Sequence, residues 1–156
     1  PLCGGRSYAL LKSFYEKTLQ CFGVSADKIY SVMDKMAAED IEDCSLSVDT
    51  RFCGTRNKPD LKGTISQITE ENFSPQQLTR GFLKGMCGEL YSFYLDMEKL
   101  TGKRRTKLVG SGNGVRKNTI LQHYLEQTFK MPISIPENLE EAAFGAAIFA
   151  EKAKKV

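Results

Sequence analysis

Residues 105–119 read Arg105-Thr106-Lys107-Leu108-Val109-Gly110-Ser111-Gly112-Asn113-Gly114-Val115-Arg116-Lys117-Asn118-Thr119. A short apolar strand over 107–109 runs into three glycines, Gly110, Gly112 and Gly114, and a helix opens near Asn118. Its apolar positions are Ile120, Leu121, Tyr124, Leu125, Thr128 and Phe129. That recurrence at i, i+1, i+4, i+5, i+8 and i+9 is one helix face, of the kind that packs on a sheet. A glycine-rich turn from strand to helix suits an anionic ligand for two reasons. Backbone without Cβ atoms approaches a ligand closely and takes positive φ, and the free amides and dipole of a helix N-terminus favour a phosphate. A turn that is merely tight needs the same glycines, so the residues alone leave both readings open.

Downstream, residues 131–135 form a short apolar strand, with Pro132 placed where a strand tolerates it. Asn138 is expected to cap a last helix, with Glu141 at its third position. Ala142, Ala143, Gly145, Ala146 and Ala147 make a small-residue face that lets this helix lie close to a sheet. Lys152, Lys154 and Lys155 suit the negative end of its dipole. Strand, helix, strand, helix favours a parallel pair with a right-handed crossover.

Upstream, Ser74-Pro75-Gln76-Gln77 is a helix start: serine at the cap, proline at the first position, glutamine completing a capping box. The helix runs to about Lys99 with Leu78, Phe82, Met86, Leu90 and Tyr94 as its buried stripe. Gly81, Gly85 and Gly88 beside that stripe cost the helix roughly 1 kcal/mol each relative to alanine, which points to close backbone packing. Before it, residues 45–52 and 62–68 read as two strands that pair across the turn-rich Gly54-Thr55-Arg56-Asn57-Lys58-Pro59-Asp60. At the front, Gly4 and Gly5 lead into a helix with the stripe Tyr8, Leu10, Leu11, Phe14, Tyr15 and Leu19. Ser25 caps the next one, which carries Ile29, Val32, Met33 and Met36. Five helices are expected, near 6–21, 25–38, 75–99, 118–129 and 139–154.

The totals bound the function. The 156 residues make one domain over 1–156, with 41% apolar and 26% charged residues and no run that would span a bilayer. Five scattered cysteines without a C-x-x-C argue for reduced thiols in a cytoplasmic protein and against structural zinc. A net charge of +3 is too small to imply nucleic acid. The cations Lys103, Arg104, Arg105 and Lys107 lack interleaved aromatics, so a solvated loop is expected there. So is a solvated loop at the acidic run 39–43. The single histidine, His123, lies off the apolar stripe and reads as a surface residue, which leaves hydrolytic catalysis without a base. A dinucleotide fold wants G-x-G-x-x-G, but Val115 stands where the third glycine belongs. No Gly-Lys-Ser or Gly-Lys-Thr forms a Walker loop.

Taken together, these motifs resemble the carboxy-terminal lobe of FGGY-type carbohydrate kinases. Gly110-Ser-Gly-Asn-Gly-Val-Arg-Lys-Asn, the strand over 131–135 and Glu140-Glu-Ala-Ala-Phe-Gly-Ala-Ala resemble that lobe's glycine turn, short strand and E-x-A-x-G-A-A closing helix. Gly54-Thr-Arg-Asn-Lys-Pro resembles the family's G-E-R-x-P loop, Gln77-Leu-Thr-Arg-Gly-Phe-Leu-Lys-Gly its L-x-R-A-x-x-E-G helix, and Cys3-Gly-Gly its glycine pair. The order is kept along essentially the whole chain. Pairing Gly-Ser-Gly with a later Lys-Asn is similar to the sedoheptulose kinases in particular.

The resemblance implies an α/β, ribonuclease-H-like (actin-like ATPase) lobe, incomplete and mostly helical, with a small mixed sheet. It implies a kinase that passes the γ-phosphate of ATP, with Mg2+, to a sugar hydroxyl, that of a ketose such as sedoheptulose. Gly110, Ser111, Gly112, Asn113 and Gly114 would lie along the adenine and ribose with Lys117 nearby, and Gly4 and Gly5 would face the phosphates across the cleft. The sugar site and the catalytic aspartate belong to an amino-terminal lobe outside this chain, so no catalytic or metal residue is expected within it. Pro1 and the abrupt Leu2-Cys3-Gly4-Gly5 likewise predict a piece of a longer chain, inactive alone, whose exposed strand edge can pair with a second copy. Thr55 stands where the family has glutamate, and Lys117 where several members have a small or amide residue. The rivals are a kinase-derived binding module without nucleotide and a dinucleotide-dependent enzyme.

Overall fold

A computed structural model describes residues 4–25, 27–40, 44–137 and 141–153. Along the chain run α1 (Gly4–Cys21), α2 (Ile29–Ala38), β1 (Ser47–Asp49), β2 (Thr64–Ser66), α3 (Pro75–Thr101), β3 (Leu108–Val109), α4 (Asn113–Lys117), α5 (Thr119–Phe129), β4 (Ile133–Ser134) and α6 (Glu141–Ala153). They divide into two compact units, residues 1–104 and 105–156.

The first unit is built on α3. Ser74 caps it as expected, its Oγ accepting from the Gln77 N–H at 3.2 Å. The other half of the capping box is used differently: the Ser74 N–H donates to the Asn72 carbonyl, and Gln77 Oε1 accepts from the Ser45 N–H at 3.3 Å. Gln77 thereby ties the approach of β1 to the start of the helix. Ser74→Ala is expected to cost about 1 kcal/mol, read as a lower urea midpoint at an unchanged slope.

One core cluster joins Leu11, Ile29, Met33, Leu46, Val48, Leu78 and Phe82, so α1, α2, β1 and α3 share a single apolar interior. The glycine row of α3 explains how β1 gets so close. A Cβ on Gly81 would meet the side chains of Val48 and Leu46, and one on Gly85 would run into the Val48 carbonyl. Gly88 does not follow this rule, since it is exposed and a Cβ there would meet nothing within 4 Å. β1 pairs antiparallel with β2, Val48 opposite Ile65, the hairpin-like unit that the sequence suggested.

Two helix expectations need correction. α2 does not start at Ser25; it starts at Ile29, after Lys28 in the left-handed region (φ 59) with no side-chain cap. Burial of Ile29, Met33 and Ala37 at a four-residue spacing sets its register, so tertiary packing overrides the cap signal. In α1 the apolar stripe is split. Leu11 is buried and Tyr8, Tyr15 and Leu19 pack on the core, whereas Leu10 and Phe14 are 49% and 53% exposed. The small Ser7 takes the buried place one turn before Leu11, donating to the Thr50 carbonyl at 3.0 Å.

Cys87 is fully buried on α3, and loss of hydration pushes its thiol from 9.0 up to about 12. The folded state therefore holds this proton more tightly than the unfolded one. The stability it contributes is whole below pH 9 and is lost as pH rises towards 12. Alkylation of the native protein at about pH 8 is expected to label the exposed Cys21 and Cys53 and to spare Cys87 until unfolding. Mass spectrometry of the alkylated peptides reads the outcome.

In the second unit β3 and β4 are parallel, with Leu108 opposite Ile133 and Val109 opposite Ser134. The strands expected in one mixed sheet thus lie in two separate two-stranded ladders. The α5 stripe is buried at Leu121, Tyr124, Leu125 and Phe129. His123 is half-buried rather than on the surface, edge-on to Tyr124 at 5.8 Å. The Asn138 cap expected for α6 lies outside the described residues, as do Ile41, Glu42 and Asp43 of the acidic run. Residues 142–151 are exposed, and a Cβ on Gly145 would meet nothing within 4 Å. The small-residue face of α6 is therefore not seated on a sheet among the described residues.

Candidate functional site

Two of the three glycines in the turn of the second unit have a structural reason, and the two reasons differ. Gly110 extends the parallel ladder, its N–H donating to the Ser134 carbonyl at 3.0 Å. A Cβ there would sit 2.8 Å from the side chains of both Ile135 and Val115 and 2.9 Å from that of Ile133, so packing requires glycine. Gly112 has φ 91 and ψ 157, a backbone that L side chains avoid. It reverses the chain and opens α4, its carbonyl accepting from the Arg116 N–H at 3.1 Å. Gly114 answers to neither cause. It is helical, has no positive φ, and a Cβ on it would meet nothing within 4 Å.

Residues 111–114 and Lys117 are all exposed, so this turn is an open surface. The helix that follows it is not the long α5, as the sequence suggested, but the single turn α4. Gly112 allows the reversal, and Asn118 separates the two helices: it ends α4 and caps α5, with Oδ1 accepting from the Leu121 N–H at 2.7 Å. The expected alignment of a long helix N-terminus on a phosphate is therefore not formed at this turn. α4 is held from beneath. Gln122 Nε2 donates to the Val115 carbonyl at 2.7 Å and to the Arg116 carbonyl at 3.4 Å, and Arg116 Nη1 donates to the Pro136 carbonyl at 2.6 Å. Sequence reasoning missed both α4 and Gln122. A polar residue beside an apolar stripe carries no signal, and three glycines in five positions argue against a helix.

In the first unit Gly4 and Gly5 are the opening residues of α1, where the sequence placed them just before it. Gly5 is exposed, and a Cβ on it would meet nothing within 4 Å. This first turn is anchored by Ser7 on the Thr50 carbonyl, and Thr50 in turn donates its hydroxyl to Glu89 at 3.2 Å. Beside it, Arg51 pairs with Asp49 at 2.5 Å and, by that hydrogen bond, holds the carboxyl below its usual range. The 54–59 loop closes on itself. Gly54 takes φ 70, the Thr55 N–H donates to the Lys58 carbonyl at 2.9 Å, and the Thr55 hydroxyl accepts from the Lys58 N–H at 3.0 Å. Among the described residues no group of three or more His, Cys, Asp or Glu is placed to hold a metal ion.

Residues 9–153 match the FGGY family of carbohydrate kinases, C-terminal domain. The chain belongs to this family. It is similar to the sedoheptulokinase of Mus musculus, 28% identical over 125 residues, and to that of Homo sapiens, 26% identical over the same length. Each match covers 80% of this chain and 26% of the relative, so the chain spans about a quarter of the curated relatives it resembles. Among solved structures, xylulose kinase from Bifidobacterium adolescentis superposes with a TM-score of 0.69 at 22% identity, over 92% of this chain and 26% of that one. Plasmodium falciparum glycerol kinase with ADP gives 0.67 at 16% identity, over 88% and 27%. The fold is the actin-like ATPase fold of these FGGY kinases, mostly helical with small sheets, as the motifs implied.

Proposed function

We propose that this FGGY domain is the ATP-binding part of a kinase that transfers the γ-phosphate of ATP to a sugar hydroxyl, with a ketose such as sedoheptulose as acceptor. Gly114 carries the reading. A glycine within a helix costs roughly 1 kcal/mol, and neither backbone strain nor internal packing accounts for it. Close approach of a flat ligand from outside does. The relatives named sedoheptulokinase and the glycerol kinase solved with ADP favour a nucleotide as that ligand and a sugar as its partner.

In this reading the exposed backbone of residues 111–114 lies against the adenine and ribose, and Lys117 adds a positive charge at their edge. Phosphoryl transfer is mainly positioning and electrostatic stabilisation, which turns without side chains and backbone amides supply. The Mg2+ that accompanies ATP offsets phosphate charge when bound. The amino-terminal lobe of the intact kinase, in this reading, holds it, as it holds the sugar. The free thiols among the described residues suit a reducing, cytoplasmic setting. A second copy pairing on a ladder edge is the proposed route to any oligomer.

The test is calorimetric titration of ATP into the intact gene product, followed by an assay of phosphate transfer to sedoheptulose, xylulose and glycerol. ATP binding with transfer to a ketose supports the reading. An intact product that binds no ATP overturns it and leaves a kinase-derived binding module.

A further inference from the structure

We propose that Gln122 is a positioning residue that sets the glycine turn for nucleotide from beneath, an inference that rests on the ATP reading above. α4 is five residues long, too short to hold its shape unaided. The last carbonyls of a helix have no partner within it, and in α4 those of Val115 and Arg116 fall to Gln122. Its Nε2 reaches both, at 2.7 and 3.4 Å, from the second turn of α5. Both acceptors are carbonyls, so only the NH2 end of the amide can face them. α5 itself is fixed by four buried apolar residues and by its Asn118 cap, so the carboxamide reaches α4 from a fixed helix.

The outer face of the turn, residues 111–114, is exposed among the described residues, and Gly112 and Gly114 have no side chains. On the inner face, the Val115 side chain packs at Gly110, so tilting α4 would disturb both the seat of Val115 and the exposed surface offered to a ligand. Gln122 touches no ligand itself; it fixes the angle at which the backbone of 112–114 is presented.

The test compares Gln122→Glu and Gln122→Leu with wild type in the intact gene product, measuring ATP affinity and sugar KM at about pH 8 and about pH 5. At the higher pH both variants should bind ATP about tenfold more weakly, the scale of a lost positioning contact, with sugar KM unchanged. At the lower pH the Gln122→Glu protein should regain affinity relative to wild type. Its carboxyl, facing two carbonyls, takes up a proton and donates again, whereas Gln122→Leu should stay weak. Wild-type ATP affinity in both variants, or a Gln122→Glu defect that is the same at both pH values, overturns the inference while leaving the nucleotide reading intact. A wild-type protein that binds no ATP overturns both.

Discussion

Replacing Gly85 by valine is expected to lower the stability of the first unit by about 3 kcal/mol, the upper end of what overpacking costs. The atom in the way is the Val48 carbonyl, and the Thr50 methyl follows at 3.1 Å. A side-chain tip would swing aside; backbone in a ladder does not. β1 is held on its far side by the pairing of Val48 with Ile65 and at its end by Ser7 on the Thr50 carbonyl, so it has no direction in which to retreat. Gly88→Ala on the same helix is the control. It adds a methyl where nothing lies within 4 Å and should stabilise by up to about 1 kcal/mol through helix propensity. Urea unfolding of the pair separates close packing from propensity. A Gly85→Val protein with the wild-type midpoint would mean that β1 does not rest on α3.

The second large effect is expected at Gly114. Gly114→Leu should weaken ATP binding about a hundredfold, or about 2.8 kcal/mol, without lowering the melting temperature. The added Cβ has nothing within 4 Å, and leucine replaces a poor helix former. Gly110→Leu should behave in the opposite sense. Its side chain would be driven into Ile133, Ile135 and Val115, so the second unit should lose stability first and ATP binding as a consequence. Calorimetry beside thermal melting distinguishes the two. A Gly114→Leu protein that binds ATP like wild type would remove the main support for a nucleotide at this turn.

What the sequence revealed, and what it hid, follows from the range of the forces involved. The cap at Ser74 and the stripe of α5 were legible because both are local: one hydrogen bond across three residues, one face repeating every turn. Gly81 and Gly85 announced a close approach without saying of what, since β1 lies some 35 residues away along the chain. Ser25 misled because a cap residue is only a preference, and burial of Ile29 and Met33 outweighed it. Leu10 and Phe14 belong to the α1 stripe by period yet stay exposed, because period alone does not say how wide a face is buried. The candidate site was readable as far as its glycines. Its support was not, because Gln122 acts through a carboxamide that contacts backbone, and backbone acceptors are the same in every sequence.

The junction of the two units has a consequence for proteolysis. α3 ends at Gly102, whose φ of 64 closes the helix, and Lys103, Arg104, Arg105 and Lys107 follow, all exposed and outside any helix or strand. A trypsin-like enzyme needs an exposed basic residue outside regular structure, and it finds several at adjoining positions. A cut there leaves β1 with β2 on one piece and β3 with β4 on the other, so each ladder survives intact. Losing one cation from the run would leave the next as a scissile bond, which makes this segment difficult to protect by point mutation and convenient for dividing the chain on purpose.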